Sequence, residues 1–241
     1  MSFVDRILNV SIHTLNHKIK RYLEEKKYQK NSHPKVFEWE WDKKGFNRIS
    51  VVNHLICISG GLEAKYLEIG CQGNKLFDSV ASTKKVGVDP ERGGTHRMTS
   101  DKFFENNKDV FDVVFIDGLH EYEQVHRDAI NSLNCINTGG YIAFHDFLPA
   151  TWKEHHVPRI NDVWTGDCWK LAMQLSKAKG VEFVILDVDW GVGLMKKLSD
   201  DFYIPNVSNE LKTAEFDKFV NIVNELPIHS FEDGIKKIIK A

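Results

Sequence analysis

The chain contains no stretch approaching the run of about 18 consecutive apolar residues that a spanning helix needs, so no membrane partner is expected. Its opening, MSFVDRILNVSIHTLNHKIKRYLEEKKYQK, lacks a compact apolar core and a small-residue cleavage site, and reads as part of a cytoplasmic protein. Cysteine is sparse. The four residues, Cys57, Cys71, Cys135 and Cys168, form no C-x-x-C pair, which argues for reduced thiols and against a zinc knuckle. An excess of one charge is also missing: 32 basic and 34 acidic side chains leave a net −2, so nothing global points to nucleic acid. Internal repeats and low-complexity tracts are absent too.

What remains is an ordinary globular composition, 42% hydrophobic and 27% charged over 241 residues, enough for one large α/β domain with a modest appendage. Near the start, Val4, Ile7, Leu8, Ile12, Leu15 and Ile19 recur at helical spacing ahead of a charged segment. We therefore expect a helical extension over residues 1–47, serving as a cap or a homodimer contact, followed by the main domain over 48–241. Pro34 and Gly45 punctuate the stretch between, and NRISVVNHLICISGG predicts a helix closed by Gly60 and Gly61.

From Lys65 the rhythm changes to short β-rich runs: KYLEIG, KKVGVD, FDVVFID, GGYIAFHD and EFVILDV. Helix-like segments separate several of them, and Val125, Ala129, Ile130 and Leu133 mark one helical face. Alternating β and α segments with nearly continuous apolar strands predict a doubly wound, mostly parallel, seven-stranded sheet covered on both faces. EFVILDVDWGVGLMKK predicts a terminal antiparallel hairpin, and Phe216, Phe219, Val220, Val223 and Leu226 predict one core-facing helix over Lys212–Leu226. In such a sheet ligands sit beyond the carboxyl ends of the strands, where several acids fall.

The first strand runs into LEIGCQGNKL, with Glu68, Gly70 and Gly73 in an E-x-G-x-x-G spacing. Glycines there let backbone N–H groups approach a ligand, although glycine pairs also occur at strand–helix turns for geometry alone. The next strand ends in Asp89, which can accept both hydroxyls of a ribose or start an Asp-Pro turn. Ser100 and Asp101 come next in THRMTSDKFF, placed to meet a ligand or to cap a helix.

Taken in order, YLEIGCQG, VGVDP, FDVVFIDGLH and GGYIAFHD resemble the class I S-adenosylmethionine-dependent methyltransferases, over roughly residues 48–197. THRMTSD and FIDGLHEYEQV look closest to a small bacterial branch associated with sugar and surface-glycan gene clusters. The resemblance implies S-adenosylmethionine as cofactor, with Glu68, Gly70 and Gly73 flanking its methionine end, Asp89 its ribose, and Ser100 and Asp101 its adenine. Asp117, at the end of the third strand, borders the same pocket. It also implies an O-methyltransferase working on a small-molecule hydroxyl, such as that of a sugar.

Charged groups are costly beside a core unless they are paired, ligated or working in a cleft. Asp117, His120, His145 and Asp146 stand at the ends of two adjacent apolar runs, and three readings stay open. The acids cap the next helix or loop; or His120 or His145 acts as a base oriented by an aspartate; or Asp117, His145 and Asp146 hold a divalent cation such as Mg²⁺ or Mn²⁺. The third resembles metal-dependent O-methyltransferases of the catechol and macrolide-sugar types, but with His-Asp in place of their Asp-Asn or Asp-Asp and a histidine where the catechol type has a lysine.

The long segment after Asp146 carries Trp152, Arg159, Trp164 and Trp169 with His155 and His156. Aromatic faces beside an arginine suit a sugar or phosphosugar acceptor, so Trp152, Arg159 and Trp164 are candidate substrate contacts; a lid or dimer contact is the alternative. Adjacent His155 and His156 suit a single ion poorly. Two further functions stay open: a nicotinamide-dependent oxidoreductase, against which the missing third glycine counts, and a non-catalytic cofactor-binding module that docks a partner.

Overall fold

Alternation of buried side chains along each strand builds the molecule. In this computed structural model, which describes residues 19–241, the strands are β1 (Lys65–Ile69), β2 (Lys84–Val88), β3 (Phe111–Ile116), β4 (Ile136–Phe144), β5 (Val181–Leu186), β6 (Val192–Lys197) and β7 (Ile228–His229). Leu67, Ile69, Val114, Ile116, Ile142 and Phe144 face one core; Tyr66, Val113, Phe115, Tyr141 and Ala143 face a second. Because successive side chains point to opposite faces, a strand buried on both is apolar at its buried positions, with Glu68 of β1 the charged exception among β1, β3 and β4. The helix Tyr122–Asn134 covers the first face through Val125, Ala129 and Leu133. Arg48–Ile58 and Phe231–Lys240 cover the second through Val51, Leu55, Ile235 and Ile238.

The seven strands lie in the order β2-β1-β3-β4-β6-β5-β7. The β1–β2, β1–β3 and β3–β4 pairs are parallel, whereas β6 runs antiparallel to both β4 and β5. The expected sheet and its hairpin are therefore present. After β1 the chain crosses to β2 on one side and returns to β3 on the other, so strand order reverses between β1 and β3, and a crevice opens there.

Three elements differ from expectation. The single helix expected over Lys212–Leu226 is broken into Asn209–Lys212, Phe216–Ile222 and a short turn of 3-10 helix, Val223–Glu225. Lys170 Nζ donates to the Lys212 carbonyl, the acceptor that a continuing helix would offer to Phe216 N. Strand β7, parallel to β5, comes after the hairpin, and the helix Phe231–Lys240 closes the described chain. Ser230 caps that helix by accepting from Asp233 N.

Of the amphipathic stripe near the start, Val4, Ile7, Leu8, Ile12 and Leu15 lie outside the described residues; residues 19–27 are helical. This segment and the stretch after it lie across the loop beyond β4. Lys153 pairs with Glu25 at 2.8 Å, Arg21 donates to the Asn161 carbonyl, Phe37 N donates to the Ala150 carbonyl, and Trp39 Nε1 donates to the Pro149 carbonyl. Among the described residues no helix is long and apolar enough to cross a membrane.

Candidate active site

A cleft of about 630 Å³ opens over the carboxyl ends of β1–β4. At its floor Gly70 has φ +86°, and a Cβ there would stand 2.0 Å from the Asp117 carbonyl oxygen. Only glycine fits, because the chain beyond β1 turns directly against the chain beyond β3. Gly73 is different: a Cβ there would meet nothing within 4 Å, and the residue is not part of the cleft wall. Glu68 is also behind the wall, 1% exposed, with Tyr66 Oη donating to Oε2 at 2.6 Å. Burial pushes its carboxyl up to about 7, with the Asp117 charge adding and the Tyr66 hydrogen bond opposing.

Asp89 lies on the cleft wall at the end of β2. Its Oδ1 accepts from Glu91 N and Arg92 N, each at 2.8 Å, and Oδ2 accepts from Gln72 N at 2.8 Å. Burial works against the charge, but these backbone donors, with Arg97 nearby, hold the carboxyl below its usual value. Oδ2 has a single donor and keeps capacity for a ligand hydroxyl. The turn-forming and ligand-facing readings of Asp89 are thus compatible.

Ser100 and Asp101 open the helix Ser100–Asn106, and Thr99 is its cap, accepting from Lys102 N. Capping does not occupy the pair, and both line the cleft. Gln124 Nε2 lies 3.1 Å from Ser100 Oγ, Asp101 Oδ1 and Asp128 Oδ1 alike, three acceptors for an amide with two hydrogens.

At the other end of the cleft four chemistry-bearing residues meet. His120 Nε2 is 3.1 Å from Asp117 Oδ1, and His120 Nδ1 is 2.9 Å from Asp146 Oδ2. His145 Nδ1 is 3.3 Å from Asp117 Oδ1 and 3.1 Å from Asp146 Oδ1, yet is directed at neither and has no hydrogen-bond partner. Burial favours neutral imidazoles, but the facing carboxylates win: His120 is pushed up to about 10 and His145 is raised. The acids move the opposite way, both held below their usual range by the imidazoles despite burial. One oxygen or nitrogen from each of Asp117, His120 and Asp146 lies within 4.8 Å of the others, the only such ligand set among the described residues. The expected set contained His145 in place of His120.

Arg48, Asp189 and Trp190 belong to this end of the site and escaped the sequence reading. Asp189 accepts from Arg48 N at 2.9 Å and from Arg48 Nη1 at 3.0 Å, and Arg48 Nη1 lies 3.0 Å from His145 Nε2. His120, Asp146, Asp189 and Trp190 all have left-handed φ, between 46° and 66°, a conformation costly for side-chain-bearing residues and concentrated at functional clefts. The DVDWGVG turn was legible as a turn; its contact with Arg48 was not.

The candidate acceptor residues separate. Trp164 stacks on His120, ring centres 5.3 Å apart, and Arg159 lies over Trp164; both line the cleft. Trp152 does not. It is 6% exposed in the core, edge-on to His156. His155 accepts from Trp169 Nε1 and pairs with Glu215, and Asp167 accepts from Tyr122 N, so these serve packing and the start of the helix Tyr122–Asn134. Gly166, with φ +59°, lets this loop press on His120: a Cβ would be 1.8 Å from its carbonyl oxygen.

The sheet order, the glycine turn at the switch point and the strand-end acids define a class I methyltransferase-type fold. A family model described as a methyltransferase domain matches residues 26–147, half of the chain, and the chain belongs to that family of S-adenosylmethionine-dependent methyltransferases. The nicotinamide oxidoreductase alternative falls with this finding. A putative O-methyltransferase from Klebsiella pneumoniae is similar in structure, with a TM-score of 0.50 at 14% identity, over 65% of this chain and 82% of that one. An O-methyltransferase from Bacillus cereus, solved with S-adenosylhomocysteine, gives 0.45 at 15% identity, over 62% and 80%. At such identities the likeness concerns the fold alone. An uncharacterized protein of Acanthamoeba polyphaga mimivirus is 36% identical over 52 residues, 22% of this chain; the match spans about a quarter of that curated relative, 24% of its length.

Proposed function

We propose that the protein transfers a methyl group from S-adenosylmethionine to a hydroxyl of a small polar acceptor, such as a sugar or glycan precursor, with help from a divalent cation. One observation carries this reading. A single cleft has a glycine turn and a ribose-competent acid at one end, and at the other an aspartate–histidine–aspartate set within 4.8 Å. Gly70, Asp89, Ser100 and Asp101 would hold the cofactor; having no Cβ, Gly70 lets the turn after β1 lie against the chain beyond β3 and so shapes the floor of the cleft. Bound there, the cofactor supplies a methyl group on a positively charged sulfur. The chain's own task is then alignment of donor and acceptor, since charge is lost in the transfer.

Asp117, His120 and Asp146 would hold the cation, which lowers the pKa of an acceptor hydroxyl. Two carboxylates and one imidazole suit Mn²⁺ as well as Mg²⁺. A metal-free base, His120 or His145 oriented by an aspartate, is the second reading, since carboxylates face both imidazoles. Trp164 and Trp190 border the acid end, and their ring faces are suited to the C–H faces of a sugar.

Calorimetric titration of S-adenosylhomocysteine into metal-stripped protein, alone and with Mn²⁺ or Mg²⁺, tests the reading. Micromolar binding that Asp89→Ala weakens by roughly tenfold or more is expected, about the loss of one charge-assisted hydrogen bond. Absence of binding in every condition would overturn it. Binding with no acceptor methylated across a panel of sugars and phosphosugars would favour the non-catalytic module.

A further inference from the structure

The helix over residues 19–27 rests on its own domain by a polar side. Arg21 donates to the Asn161 carbonyl, Glu25 pairs with Lys153 at 2.8 Å, and just beyond the helix the Tyr28 ring lies 4.5 Å from that of His156. The apolar side points away. Ile19, Tyr22 and Leu23 are 48%, 58% and 60% exposed. A helix lying on a globular domain ordinarily does the reverse and turns its apolar stripe to the core; an apolar face left outward marks a surface that meets something else.

The spacing of that face says what fits it. Back from Tyr22, apolar residues recur at Ile19, Leu15, Ile12 and Leu8, in steps of three, four, three and four. That is a heptad repeat, with a period of about 3.5 residues, the pattern by which helices pair along a seam. Ile12 and Ile19 take heptad position a, Leu8, Leu15 and Tyr22 take position d, and Asp5 and Lys26 at the flanking a positions end the seam. Leu8, Ile12 and Leu15 lie outside the described residues, but they lead in sequence into the helix that carries Ile19 and Tyr22, in the same register. Arg21 and Tyr28 fall at c and Glu25 at g, so none of the residues holding the helix to its domain uses an a or d position.

We propose that this face joins two copies of the chain, with Leu8, Ile12, Leu15, Ile19 and Tyr22 packed in parallel against the same residues of the second copy as a two-stranded coiled coil. Isoleucine at a with leucine at d favours two strands over three or four when helices run parallel. One stripe facing itself across a two-fold axis is also self-complementary, so the pair closes. The seam spans just over two heptads, too few for a free helix pair to persist in water. Its C-terminal part is already held on the domain through Arg21 and Glu25, so pairing has less chain to order.

Sedimentation velocity of the full chain, from nanomolar to high micromolar concentration, tests this. A species of twice the chain's mass should dominate in the micromolar range. The double variant Ile12→Asp/Ile19→Asp should weaken association by roughly a hundredfold or more, since two buried apolar contacts per chain become facing like charges. Lys20→Asp, at an exposed b position, should sediment as the wild type does. In a Cys57→Ser background, which removes the exposed thiol, Leu8→Cys should form an interchain disulfide on mild oxidation. Leu8 stands at one end of the seam and meets its own copy only when the strands run parallel. A wild-type monomer at every concentration would overturn the proposal, as would a dimer that the double variant leaves intact or one that Leu8→Cys fails to cross-link. A wild-type monomer that sediments with anionic lipid vesicles would give the stripe to a membrane surface instead. If the double variant does not fold, the wild-type mass and the Leu8→Cys cross-link still decide.

Discussion

Replacing Glu68 with glutamine should stabilise the protein at pH 8 and change little at pH 5. The carboxyl is 1% exposed on the face of β1 that also carries Tyr66, and burial raises its pKa from an ordinary 4.5 to about 7. At about 1.4 kcal/mol per pH unit, that displacement corresponds to roughly 3 kcal/mol between the two protonation states. Proton counts give the sign. Between 4.5 and about 7 the folded chain keeps a proton that the unfolded chain has released, so stability falls as pH rises through that window; above it the full penalty persists. Glutamine does not titrate, and its amide oxygen can still accept from Tyr66 Oη.

Urea denaturation of wild type and Glu68→Gln at pH 5 and pH 8 measures the effect, and other titrating groups cancel in the comparison. The difference in unfolding free energy between variant and wild type should grow by roughly 3 kcal/mol, as an order of magnitude, from the lower to the higher pH. Equal differences at the two values would refute the reasoning and mean that Glu68 does not keep its proton behind the cleft wall. A growing difference that disappears when S-adenosylmethionine is added would show that the cofactor's positive charge takes over the role of that proton.

The glycine turn gives a paired test. Gly70→Ala should cost about 3 kcal/mol or more, from a left-handed φ and a Cβ 2.0 Å from Asp117 O, and should abolish S-adenosylhomocysteine binding; Gly73→Ala, with open space around it, should be nearly neutral in urea melts. Asp146→Asn should weaken Mn²⁺ binding by about a hundredfold in calorimetry, since one of two charged oxygen ligands is lost. Trp152→Ala should destabilise by about 3–5 kcal/mol as a core truncation, whereas Trp164→Ala, only partly buried over His120, should cost less and act chiefly on acceptor KM.

Where the chemistry could be read from sequence, the signal was local. Asp117 ends one apolar run and the His145–Asp146 pair ends the next, and a strand buried on both faces leaves few explanations for charged groups at its end. Gly70 was legible for the same reason, as a glycine at the end of such a strand. Whether a tryptophan faces the core or the cleft is not local: Trp152 and Trp164 share one loop, and only packing against His156 and His120 separates them. The helix break after Lys212 likewise depends on an ammonium 42 residues earlier in the chain. Arg48 and Asp189 were the hardest to see, being 141 residues apart, one in a helix start and the other in a hairpin turn, each ordinary in its own setting. In that turn Asp189 and Trp190 are left-handed without being glycine, a conformation that costs free energy, and the turn sets the Asp189 carboxylate against Arg48 beside His145.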